Sequence, residues 1–256
     1  MVLALVLVGC KATATVAVVV EPNGSGSVSI TAALDADAAA RVGTDLATAI
    51  RTEDLVAAGW TVGPLQTDDG QTSIAASKAF ATADGLGPIL TDIGGPDGPF
   101  VGWDLKTSDT FTAAGYELDG QLKLTGSLDQ FSDAEVAAAL DGFALGRSPE
   151  ELAADLADGS SLQLGIDVSL PGDIDEATGL TVAEGDASGA GRLSRTFVLG
   201  DGSAVDEAVR VSATASDRSA VLWIVLGAAL VVGALLLVVA RQRVRRRRRR
   251  RPAPIA

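Results

Sequence analysis

The chain has 256 residues, 33 acidic and 20 basic, with one cysteine and no histidine, and a net charge of −13. Nine of the basic residues lie at or beyond Arg241 while every acidic residue precedes position 220, so the earlier region sets 11 basic against 33 acidic residues, a balance of −22 that repels nucleic acid. A single cysteine excludes an intramolecular disulfide, and the lack of histidine excludes a zinc site of the usual Cys/His kind.

The chain opens MVLALVLVGCKATATV. Leu7-Val8-Gly9-Cys10 fits a lipobox, small residues before a cysteine at the end of an apolar run. Residues 1–10 therefore read as a truncated lipoprotein signal with Cys10 as the lipid-attachment residue; the alternative is a buried thiol in a first strand. Residues 11–20 are rich in Val and Thr, 27–31 alternate polar and apolar, and EPNGSG between them is turn chemistry, which predicts a β-hairpin. Asp35 is then a candidate N-cap, and Leu34, Ala38, Val42, Leu46 and Ile50 recur at helical spacing, predicting a helix through Arg51 that covers a sheet.

A second hairpin is expected from 60–66 and 71–80 across Asp68-Asp69-Gly70, followed by a short helix over 83–93. GGPDGP at 94–99 is the clearest break, leading into strands at 100–112 and 116–126. Two capping boxes, Ser132 to Glu135 and Ser148 to Glu151, start helices carrying Val136, Leu140, Phe143 and Leu152, Leu156. Residues 161–170 read as extended, and 195–199 and 207–213 as strands flanking a glycine turn at 200–202. Asp68-Asp69 and Asp173, Asp175, Glu176 lack the spacing of a calcium loop and read as solvated turns. Trp60, Trp103, Phe111, Tyr116, Phe131 and Phe143 are scarce aromatics read as core anchors. The main domain is thus expected over 11–212, with a Ser/Asp linker at 213–219.

Residues 220–240 form an uncharged apolar run, long enough at ~1.5 Å per residue to cross a ~30 Å hydrocarbon core. An arginine-rich tail, 241–256, follows. Arginine concentrates on the cytoplasmic side, so the expectation is a single transmembrane helix with the main domain outside and the tail inside, touching anionic headgroups. Trp223, Arg241, Arg243 and Arg245 are then the membrane-anchor residues, and the partner is a membrane.

No catalytic pattern is visible. Without histidine there is no Ser-His or Cys-His pair, and no lysine has a serine three residues before it. Gly-x-Ser-x-Gly, a phosphate loop and Gly-x-Gly-x-x-Gly are all missing, so the expectation is a protein that is not an enzyme, with no cofactor and no metal.

Hairpins mixed with amphipathic helices predict an α+β class, a mostly antiparallel sheet covered by a few helices and followed by the transmembrane helix. LVGCKATATVAVVVEPNGSGSVSI, GWTVGPLQTDDGQTSIAASKAF and the apolar run with its arginine tail together resemble the LppM-type lipoproteins of actinobacteria. That resemblance implies a membrane-anchored envelope protein whose outer domain binds a phospholipid or phosphatidylinositol-type glycolipid. The alternative is an envelope scaffold or host-interaction protein without a small-molecule ligand.

Overall fold

The structure, a computed structural model, describes residues 11–42, 53–95, 98–125, 161–182, 190–199 and 203–216. The chain divides into two compact units, Met1–Ser108 with Gly115–Ala215 and Asp109–Ala114 with Ser216–Ala256. The first holds the body of two β-sheets.

Strand β1 (Lys11–Val20) turns through Glu21 to Ser25 into β2 (Gly26–Leu34). Gly24 takes φ +79°, and the Asn23 carboxamide oxygen accepts from the Ser25 N–H and hydroxyl, so this turn is closed locally. At the other end Asp35 has two duties. Its Oδ1 accepts from the Ala38 N–H at 2.8 Å, capping α1 (Ala36–Val42), and its Oδ2 accepts from the Lys11 N–H at 2.7 Å, tying the helix start to the first strand. The expected cap is therefore present, while the rest of the predicted helix, 43–52, lies outside the described residues.

A short helix α2 (Glu53–Ala57) leads to β3 (Thr61–Val62), β4 (Gln66–Asp68) and β5 (Gln71–Phe80). The β4–β5 turn sits where Asp68-Asp69-Gly70 predicted it, with Asp69 at φ +47° and Gly70 at φ +81°, the left-handed pair that matches strand twist. A 3-10 turn at Ala83–Gly85 and α3 (Leu86–Gly94) follow as expected. Next come β6 (Phe100–Asp109), β7 (Ala113–Leu124), β8 (Ser161–Pro171), β9 (Asp173–Thr178), β10 (Thr181–Val182), β11 (Ala190–Leu199) and β12 (Val205–Ser216).

The larger sheet runs β10-β11-β8-β1-β2-β5-β3, with β4 also on β5; the smaller runs β6-β7-β12-β9. In the larger sheet β1 and β8 pair in parallel, Val18 opposite Val168, and the other neighbouring strands are antiparallel. Leu193, Val168, Val18 and Val28 make one row across four strands, all buried. Each such side chain contributes roughly 1.5–3 kcal/mol relative to an exposed position. On the smaller sheet Leu118, Leu122, Val209 and Val211 are buried likewise, and with Leu86 and Leu90 of α3 these faces form the core.

Several expectations are corrected. The class is mainly β rather than α+β, because strand after strand buries an apolar face in one of the two sheets while the described helices run only five to nine residues. No described helix is long and apolar enough to cross a membrane, so the fold as described carries no transmembrane helix, and 220–240 lies outside it. Asp173, Asp175 and Glu176 stand on strand β9, not in a solvated turn; pairing with β12 overrides their low strand propensity. The strands on either side of 200–202 enter different sheets, and β12 continues through Ser216, taking four residues of the expected linker. The two capping boxes lie outside the described residues.

Candidate lipid-contact surface

Register decides which side chains share a face. Opposite Ala12 stand Leu34 and Leu162, opposite Ala14 stands Ala32, and opposite Ala32 stands Ile74. These six residues continue the buried face of the larger sheet toward its Lys11 end, but they are not closed off as its middle is. Ala32 is exposed and the others are half-buried. Every one is aliphatic, so the patch offers no hydrogen-bonding side chain and leaves water poorly served. At its margin Leu34 faces Thr72, whose hydroxyl lies 3.2 Å from that of Thr67.

The signal for this floor was present as the period-2 pattern of β1, where Ala12, Ala14, Val16, Val18 and Val20 alternate with Thr13, Thr15, the half-buried Ala17 and the exposed Val19. What local pattern cannot give is the thinning from valine to alanine becoming an opening, which depends on the neighbouring strands.

The smaller sheet has a polar opposite face. Asp119 accepts from Arg210 Nε at 2.6 Å and from Lys106 Nζ at 3.5 Å, and Lys106 also reaches Asp104 at 3.7 Å. The hydrogen bond from Arg210 is the main reason the Asp119 carboxyl is held below its usual range, and burial opposes it. The same bond holds the Arg210 guanidinium above its ordinary value. Nearby, a cleft of about 450 Å³ is lined by Lys106, Ser108, Glu117, Asp175 and Thr214 among others, and Asp175 there accepts from the Thr214 hydroxyl at 2.6 Å. Lys106 of this cleft is paired with Asp119 and Asp104 outside its lining. Among the described residues no three His, Cys, Asp or Glu side chains converge as a metal site would require.

Of the residues singled out from sequence, Cys10, Trp223, Arg241, Arg243 and Arg245 lie outside the described residues, as do Phe131 and Phe143. Trp60, Trp103 and Tyr116 are buried anchors. Trp103 packs edge-on to Phe100 at 5.9 Å, and its indole N–H donates to the Gln121 carbonyl at 3.1 Å. Phe100 and Trp103, three apart, are both buried, and Gly102 between them takes φ +62°. Lys78 sits 5.9 Å over Trp60 and bridges to Asp92 at 2.8 Å. Phe111 corrects its expectation, for it is 75% exposed at the β6–β7 turn.

No family model matches the chain, and no curated protein matches it. Among solved structures it is similar to the NMR structure of the folded domain of Mycobacterium tuberculosis LppM, at 14% identity and a TM-score of 0.34, over 82% of this chain and 92% of that one. A score of that size is too low to establish a shared fold.

Proposed function

We propose that the protein is a non-catalytic, lipid- or glycolipid-binding protein of the bacterial envelope. The observation that supports this reading is the aliphatic floor at the Lys11 end of the larger sheet, a surface of Ala12, Ala14, Ala32, Leu34, Ile74 and Leu162 that is less deeply buried than the middle of the sheet, with Ala32 exposed. A bound acyl chain would remove this surface from water at about 25 cal/mol per Å² of apolar area. Lipid attached through Cys10, one residue before Lys11, belongs to the same reading.

The ligand class is a phospholipid or a phosphatidylinositol-type glycolipid, with the acyl portion as the part recognised by the floor. Native mass spectrometry of the full chain, purified from a bacterial envelope in mild detergent, is the test. A stoichiometric acyl-lipid adduct is expected, and Ala32→Trp, which places bulk on the floor from an exposed position, should cut the adduct fraction several-fold. A clean apo mass for the unaltered chain would overturn the reading and turn the search to protein partners of an envelope scaffold.

A further inference from the structure

The buried row of Leu193, Val168, Val18 and Val28 has a counterpart on the other side of the larger sheet. Ser77, Ser29, Ala17, Asp167 and Ser194 stand opposite one another across β5, β2, β1, β8 and β11. The next row is Ala75, Thr31, Thr15, Gly165 and Thr196. One more row on either side completes a lattice of four rows by five strands, running from Ser73 to Val198 at one margin and from Ala79 to Arg192 at the other. Gly165 apart, its residues are half-buried or exposed.

A polar outer face is ordinary for a sheet and does not by itself call for a partner. Three properties together point to one. First, only Asp167 and Arg192 of the lattice are charged, and they cancel, in a region whose balance is −22. Two copies of so acidic a region repel one another, and this face lets them meet without adding to that repulsion. Second, ten of the twenty side chains are serine or threonine hydroxyls. A hydroxyl both donates and accepts, so a surface built of hydroxyls is its own complement. With no aromatic ring, no lysine and a single arginine, the lattice gives a sugar ring or an anionic lipid surface little to hold, whereas a second lattice answers it bond for bond. Third, with strands ~4.8 Å apart and same-face residues ~6.8 Å apart the lattice covers roughly 650 Å², close to the roughly 800 Å² that each partner gives to a standard interface. Val19 and Val198, two of the chain's exposed large apolar side chains, lie on it and add apolar contact.

We propose that this outer face of the larger sheet is the interface between two copies of the chain, stacked face to face about a twofold axis. The inference does not rest on the lipid reading, which concerns the opposite side of the same sheet.

Sedimentation velocity of the full chain in mild detergent at micromolar concentration is the test. A dimer is expected, and a monomer would overturn the inference. Ser29→Lys and Ser29→Glu each set an unpaired charge inside the lattice, and both should raise the dimer dissociation constant about tenfold or more. Opposite signs with the same effect separate this interface from association governed by net charge, in which lysine would strengthen the dimer and glutamate weaken it. Val56→Lys, exposed on α2, should leave the constant unchanged. Thr15→Glu, on the neighbouring strand, repeats the measurement should a Ser29 variant fail to fold. An unchanged constant in a folded Ser29 or Thr15 variant would show that the copies meet elsewhere and would overturn the inference.

Discussion

Asp119 shows how much one side chain depends on what faces it. On β7 alone it is one of many acidic residues, but the sheet brings Arg210 from β12 and Lys106 from β6 to the same carboxylate. Because the folded carboxyl titrates below its ordinary 3.8, its contribution is present above that pH and is lost as pH falls through the depressed folded value. Asp119→Asn should therefore lower the denaturant midpoint at neutral pH, and the gap to the unaltered chain should close below pH 3.8. A gap that stays constant between pH 7 and strong acid would mean that the ion pair is not its source. The sequence offers no sign of this arrangement, since Lys106, Asp119 and Arg210 are far apart along the chain. Asp35, by contrast, was readable as a cap because its partner is three residues away.

At the scale of elements, the passage from β8 to β9 is one of the places where the chain leaves one sheet for the other, and the tightest of them in sequence. Gly172 makes that corner at φ +88°, and a Cβ there would lie 2.3 Å from the Thr214 carbonyl oxygen. Both the left-handed backbone and the close approach of β12 demand glycine. Gly172→Ala is expected to cost about 2 kcal/mol or more, read as a drop in the chemical-denaturation midpoint. A change within error would show that β12 can move aside. Hairpin turns such as Asp69-Gly70 were legible because their chemistry is local, whereas β9 was not, because its strand state comes from pairing with β12 rather than from Asp173, Asp175 and Glu176 themselves.

For the molecule as a whole, the two sheets are joined by side chains from opposite sides of the core. Arg195 of β11 pairs with Glu207 of β12, with Nη2 donating to Oε1 at 3.0 Å and Nη1 to Oε2, and Nη1 also donates to the Gly179 carbonyl at 2.9 Å. The Arg195 guanidinium stands 4.7 Å over the Phe197 ring. Tyr116 of β7 adds a second tie, its hydroxyl donating to the Pro22 carbonyl at 2.6 Å in the β1–β2 turn. Both partners of the Arg195–Glu207 pair are about a third or more exposed, so its worth is modest. A double-mutant cycle with Arg195→Met and Glu207→Gln should give a coupling of about 0.5–1 kcal/mol. A coupling indistinguishable from zero would show that this ion pair does not help to hold the sheets together.

Composition and local spacing were enough for the strands of the first hairpin, β5, both hairpin turns, the Asp35 cap, α3 and the inward placement of Trp60, Trp103 and Tyr116, while the strand expected over 60–66 is split into Thr61–Val62 and Gln66–Asp68. Each of these depends on residues within a few positions of one another or on the plain cost of wetting a large apolar side chain. The parallel pairing of β1 with β8, the division into two sheets, the mainly β class and the half-buried aliphatic floor were decided only by tertiary structure. A strand's own sequence states which of its faces is apolar, but its neighbours, drawn from up to 150 positions away, determine whether that face is sealed or left open.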